Sequence, residues 1–154
     1  LTWNFCKTKL GFSKETDKSL KHALRTLFKK GDKKVLSKYS YDTKWKPTKV
    51  TLDLSESTIS VGESLEFKIS ISHKEIKLKK LRLEYKILFR LASGKSGSKI
   101  FQLGEKILEP NTKLELSKKH SFKPITTRTY YSGLHELVFV INGNEVILKS
   151  FNLK

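Results

Sequence analysis

The chain has 154 residues, with 32 Lys and Arg against 15 Asp and Glu and a formal net charge of +17. A single cysteine, Cys6, excludes an internal disulfide and fits a reducing cytosol; no apolar run reaches the roughly 18 residues of a membrane span, and no signal peptide is visible. The cationic excess favours a polyanionic partner, nucleic acid or an anionic membrane surface, unless the source proteome is Lys-rich throughout.

Residues 1–41 read as helical. A short helix is expected from about Thr2 to Leu10, ended by Gly11. The clearest helix runs from about Thr16 to Lys30. There Leu20, Ala23, Leu24, Leu27 and Phe28 recur at i, i+3, i+4, i+7 and i+8, which makes one apolar stripe. Asp17, or Ser13 further out, can cap its start. Gly31 ends it, with Lys29 and Lys30 in the last turn, where the helix dipole favours cations. At about 100° per residue, Lys18, Lys21, Arg25 and Lys29 fall within one arc of about 80° opposite the stripe. No carboxylate follows Asp17 on this helix, so none of these cations has an i+4 partner. The row is either a solvated face or a surface with an external anionic partner. A third helix spans about Asp32 to Lys38, with Asp32 as its N-cap.

Three short helices joined by Gly-containing turns resemble the tail of an α-solenoid. Such a unit buries its apolar face only against neighbours, and about three repeats are needed for stability. The chain starts with Leu1 and contains no Met, so it is expected to be part of a longer polypeptide. Upstream repeats would then cover the Leu stripe. The charge is concentrated here: residues 1–49 hold 14 Lys and Arg and 4 Asp and Glu, a net of +10, against +7 for residues 50–154.

Residues 42–49, with Trp45-Lys46-Pro47, read as a linker. From Val50 the period becomes that of strands. Candidates are Val50–Leu54, Thr58–Val61, Ser64–Ser72, Leu78–Leu91, Lys99–Ile107, Lys113–His120, Leu134–Ile141 and Glu145–Leu153. Alternation is clean in Leu65, Phe67, Ile69, Ile71 and in Leu81, Leu83, Tyr85, Ile87, Phe89. Both faces of Leu137–Ile141 are apolar, which predicts burial on both sides. Asn142-Gly143 is a hairpin signal. This series over residues 50–154 predicts an antiparallel immunoglobulin-like sandwich, without the disulfide of antibody domains. Tyr130 or Tyr131 stands where a tyrosine corner would be; a core or corner role outweighs base contact for both.

Chemistry-bearing clusters are missing. His22, His73, His120 and His135 lie in four different elements, none with a Cys or carboxylate at metal-ligand spacing. Cys6 has no neighbouring His and reads as a core residue. There is no nucleophile elbow and no phosphate-cradling glycine loop. Glu63, Glu66 and Glu84 are dispersed, so no acid pair can be argued. No cofactor or metal is expected, and no catalytic residue is assigned within the chain.

One segment stands apart. Lys118-Lys119-His120-Ser121-Phe122-Lys123-Pro124-Ile125-Thr126-Thr127-Arg128-Thr129-Tyr130-Tyr131-Ser132-Gly133-Leu134-His135 is basic and aromatic, carries no carboxylate, and leads into a strand. A basic loop on a β-scaffold suits a phosphate backbone. From His120 onward this segment, with Val140-Ile141-Asn142-Gly143, resembles the close of the C-terminal domain of AlkC-type alkylpurine DNA glycosylases, in the branch that adds an immunoglobulin-like domain after HEAT-like repeats. Lys21-His22-Ala23-Leu24-Arg25-Thr26-Leu27-Phe28-Lys29-Lys30-Gly31-Asp32 resembles their last HEAT-like repeat. Ser132 departs from the proline expected there. The resemblance covers nearly the whole chain, in the family's order.

It implies the C-terminal part of a monofunctional glycosylase that removes N3- or N7-alkylated purines from double-stranded DNA. It also implies that the catalytic carboxylate lies in upstream HEAT-like repeats and that the sandwich grips the duplex from the minor-groove side. Which residues touch DNA does not carry over by motif. From the residues themselves, two groups are the candidates: Lys18, Lys21, Arg25 and Lys29 on the helix, and Lys118, Lys119, Lys123 and Arg128 on the sandwich. Arg128 is the one suited to a narrow groove. A monomer with no membrane attachment is expected. The competing reading is an immunoglobulin-like protein-interaction module that binds no DNA, since fold does not fix function.

Overall fold

The computed structural model describes residues 3–154. Leu1 and Thr2, where the first predicted helix would begin, lie outside the described residues. Four short helices come first: α1 (Trp3–Lys9), α2 (Lys14–Ala23), α3 (Arg25–Lys29) and α4 (Lys33–Lys38). Ser13 caps α2 by accepting from the Thr16 N–H, and Asp17 instead accepts from the Gly11 N–H at 2.8 Å. Asp32 caps α4 as expected, accepting from the N–H groups of Lys34 and Val35.

The single helix predicted over Thr16–Lys30 is broken. Leu24 takes φ −84° and ψ 4°, which separates α2 from α3. The bend lets Leu20, Leu24 and Phe28 close around Cys6, Val35, Leu36 and Tyr41, all buried; Ala23 turns to solvent. This corrects the expectation that the stripe waits for upstream repeats. The periodic pattern showed a face to be buried, but α1 and α4 of this same chain bury it.

Eight strands follow: β1 (Lys49–Leu54), β2 (Thr58–Ile59), β3 (Ser64–Ser72), β4 (Lys79–Arg90), β5 (Ser96–Leu108), β6 (Lys113–Ser121), β7 (Gly133–Ile141) and β8 (Asn144–Leu153). They form a three-stranded sheet, β1-β3-β6, and a five-stranded sheet, β2-β8-β7-β4-β5. All pairs are antiparallel except the short parallel pairing of β2 with β8. The alternating residues Leu65, Phe67, Ile69 and Ile71 of β3 meet Leu81, Leu83, Tyr85, Ile87 and Phe89 of β4 in one core. Trp45, from the stretch predicted as a linker, is buried in that same core.

The helices pack against one end of the five-stranded sheet. Asn142 and Gly143 form the β7–β8 turn with φ of 49° and 79°, the backbone that an Asn-Gly hairpin supplies. The Asn142 side chain is buried and binds three backbone groups: Oδ1 accepts from Arg82 N–H at 2.8 Å, and Nδ2 donates to the carbonyls of Asp42 and Lys80. Gly143 lies backbone to backbone with Gly31, at the end of α3. A Cβ on Gly31 would stand 2.9 Å from the Gly143 carbonyl oxygen.

Candidate nucleic-acid interface

The helical row does not stand free in solvent. Lys18, Lys21 and Arg25 line a groove of about 500 Å³ against Arg82, Gln102 and Glu105 of the sheet. Lys29 diverges and lines a smaller pocket with Glu84 and Lys86. The break at Leu24 interrupts the regular helical row, and three of its four cations share the crease beside β5.

Lys21 is paired there. Its Nζ lies 2.5 Å from Glu105 Oε1, and the same oxygen is 3.7 Å from Arg82 Nη1. Burial works to raise the Glu105 carboxyl, but the effects led by its contact with Lys21 outweigh it and hold the group below the usual carboxylate range. The expectation of an unpartnered row is corrected for Lys21. Its carboxylate comes from a strand far along the chain, which no helical spacing reveals. Arg82 reaches further in, to Glu84 Oε1 at 2.8 Å. Glu84 is 1% exposed. Burial raises its carboxyl above the ordinary value, more than the Arg82 charge lowers it.

The sandwich candidates divide by register. Lys119 stands opposite Glu66 on the outer face of the three-stranded sheet, and the two pair at 3.1 Å. Lys118 stands opposite Phe67, on the core side. Successive residues of a strand point to opposite faces, so the two lysine side chains leave β6 on opposite sides. Lys123 is exposed just past β6. Arg128 is half-buried, with its guanidinium carbon 4.6 Å over the ring of Phe89. Tyr130 packs against Phe89 and Phe122, which is a core role, and Tyr131 is exposed.

A residue that the sequence reading left out belongs with them. Lys99 of β5 stands opposite Ile87, again on the core side, and its Nζ lies 5.4 Å over Phe101. β5 and β6 are the edge strands of their sheets. Lys99 and Lys118 therefore face the open side of the sandwich, where the rings of Phe101 and His120 close the gap between β5 and β6. That histidine is buried, with Nδ1 2.9 Å from the Tyr85 hydroxyl and Nε2 without a partner. Burial first, then the charges of Arg128, Lys118 and Lys99, push its imidazole down to about 4. The signal for Lys99 was in the sequence: it shares its strand face with Phe101.

Among the described residues, none of Lys18, Arg25, Lys29, Lys99, Lys118, Lys123 and Arg128 is in an ion pair. No group of three His, Cys, Asp or Glu among them could hold a metal ion, and no helix is long and apolar enough to cross a membrane. The arrangement offers positive charge in the crease lined by Lys18, Lys21 and Arg25 and along the seam between β5 and β6.

Residues 48–154 match the family model described as "Uncharacterised protein YhaZ, C-terminal Ig-like domain". The YhaZ protein of Bacillus subtilis (strain 168) is 38% identical over 133 residues, which cover 86% of this chain and 37% of that protein. The chain thus spans little more than a third of this curated relative. Among solved structures, Pseudomonas fluorescens alkylpurine DNA glycosylase AlkC, bound to DNA containing an abasic site analog, matches 97% of this chain and 42% of its own, with a TM-score of 0.85 at 21% identity. A β-glucosidase from Listeria innocua matches 69% of this chain and 16% of its own, with a TM-score of 0.55 at 14% identity.

Proposed function

This chain belongs to the family of the YhaZ C-terminal Ig-like domain, and on that footing we propose that it is the DNA-binding C-terminal portion of a DNA alkylation repair glycosylase. The catalytic centre lies upstream, in HEAT-like repeats of which α1–α4 are the last. Residues 1–41 are the repeat remnant, residues 42–49 the connection, and residues 50–154 the immunoglobulin-like domain.

The observation that carries this reading is the extent of the likeness to AlkC. It takes in 97% of the chain, helices and sandwich in one arrangement, whereas the β-glucosidase likeness reaches 69%. A sandwich alone is a common platform; a sandwich docked on short helices in this geometry is a narrower match.

The charge distribution supports it. Lys18, Arg25 and Lys29 on the helical side, and Lys118, Lys123 and Arg128 on the sandwich, are cations without carboxylate partners. They suit phosphate contacts, which position a duplex without reading sequence. Lys21 and Lys119 reach phosphate only by leaving Glu105 and Glu66. An alkylated purine is already a good leaving group, so such a glycosylase needs mainly positioning and one carboxylate. This portion supplies the positioning.

Fluorescence anisotropy with a labelled 20-base-pair duplex tests the reading. Binding is expected at low salt and is expected to weaken steeply as salt rises. Purified chain is expected to release no methylpurine from methylated DNA. A chain that binds no duplex at low salt would leave the protein-interaction reading in its place.

A further inference from the structure

We infer that the seam between β5 and β6 is a phosphodiester subsite, in which Lys99, Lys118 and Arg128 serve one phosphate group above buried His120. The inference rests on the DNA-binding reading above and adds the group that is recognised and the residues that hold it.

The geometry begins with two edge strands. Lys99 and Lys118 stand opposite Ile87 and Phe67, core residues, so both stems run over apolar surface before their ammonium groups emerge at the open side. Arg128 arrives from the loop after β6 and lies over Phe89. Its planar fork is thereby held in place before any ligand comes. The floor is aromatic: the rings of Phe101 and Phe122 each lie 4.8 Å from that of His120. Charges at the rim of such a floor attract an anion more strongly than charges on an open polar face.

Inward-pointing lysines also guard sheet edges against pairing with another chain. Edge protection accounts for Lys99 and Lys118. It does not account for Arg128, which comes from outside both edge strands. The three cations come from separate elements, β5, β6 and the loop after β6. A tetrahedral phosphate presents oxygens in several directions to meet them; a carboxylate presents two in one plane, which a single Arg satisfies. That difference favours a phosphodiester over an acidic peptide.

The test compares the parent, the double variant K99Q/K118Q and the variant K113Q, whose lysine pairs with Glu115 on the outer face of the three-stranded sheet. Each is titrated with a 20-base-pair duplex across a salt series, and separately with inorganic phosphate and with poly-glutamate while the His120 ring signals are followed by NMR. The inference expects the double variant to lower the log–log salt slope by about one unit, at 0.9 per phosphate no longer neutralised, and K113Q to leave it unchanged. It expects phosphate to shift the His120 signals in the parent and not in the double variant. Duplex binding with an undiminished slope in a folded K99Q/K118Q overturns the seam and leaves the DNA reading standing. No duplex binding, with His120 still answering to phosphate in the parent alone, overturns the DNA reading and retains the seam as an anion site. A response to poly-glutamate in place of phosphate overturns the ligand class.

Discussion

The guanidinium carbon of Arg82 lies 4.9 Å over the ring of Phe28, so a charge on the sheet is seated against the apolar core of the helices. Its Nη2 holds Glu84, which is otherwise surrounded by protein. The pair spans the junction between helices and sandwich, and both members depend on it. Arg82→Met is expected to cost about 3–5 kcal/mol in urea denaturation, because it strands a buried carboxylate. Arg82→Met with Glu84→Leu is expected to recover most of that loss.

The pH dependence of that variant has a definite sign. Glu84 has a folded-state value above its unfolded one, so its favourable contribution is present at low pH and is lost as pH rises through the raised value. Removing Arg82 raises the value further. The stability gap between Arg82→Met and the parent is therefore expected to narrow as pH falls toward 4. A gap that stays constant between pH 4 and 8 would show that Glu84 is not the group left stranded.

His120 works in the opposite sense. Its folded value is pushed down to about 4 from an ordinary 6.5. The neutral ring contributes stability above pH 6.5, and that contribution drains away as pH falls toward 4. The loss is on the order of 3 kcal/mol, from about 1.4 kcal/mol per unit. His120→Asn is expected to flatten the stability profile between pH 6.5 and 4 relative to the parent, as followed by chemical denaturation.

For the helical row, the expected change is in salt dependence. Replacing Lys18, Lys21, Arg25 and Lys29 with Gln is expected to lower the log–log slope of duplex binding by about three units rather than four, since Lys21 is tied to Glu105. The melting temperature is expected to fall only slightly, because Lys18, Arg25 and Lys29 are exposed and without ion-pair partners and Lys21 alone leaves a carboxylate, Glu105, unpaired. An unchanged slope in a folded variant would mark the row as solvated surface.

Asn142 carries a structural prediction. Asn142→Ala removes the partners of the Arg82 N–H and the Asp42 carbonyl and puts Ala where φ is 49°. A cost of about 2–4 kcal/mol is expected from the unsatisfied groups and the left-handed backbone. Asn142→Gly relieves the backbone alone, so the difference between the two variants in denaturant midpoint separates the contributions.

Much of this architecture was legible in the sequence, and the reasons are local. Alternation in Leu65–Ile71 and Leu81–Phe89 marked buried strands, Asn142-Gly143 marked a hairpin, and Asp32 marked a helix start. What the sequence withheld depends on packing. Helical period gave one helix, and the closure of Leu24 around Cys6 and Leu36 broke it. Charge spacing along the helix made Lys21 look unpartnered, because Glu105 lies on a distant strand. Arg82 and Glu84 sit at the polar positions of β4, and they are buried only because the helices dock on that end of the sheet. Lys118, Lys119, Lys123 and Arg128 form one candidate group by sequence, although strand alternation sends Lys118 and Lys119 to opposite faces.

Gly143 is closely packed between Leu36 and Gly31. A Cβ there would stand 2.7 Å from Leu36 Cδ1 and 2.9 Å from Gly31 Cα, at φ +79°. Gly143→Ala is expected to destabilise the protein by about 2–4 kcal/mol, from overpacking and backbone strain together. Loss of duplex binding that exceeds the loss of folded protein would indicate that the helices have shifted against the sandwich.

The contact between Gly31 and Gly143 sets the spacing between the helices and the sandwich at the thickness of two backbones. With no side chain there to give way, any residue larger than glycine at either position would act as a wedge, lifting the end of α3 from the β7–β8 turn.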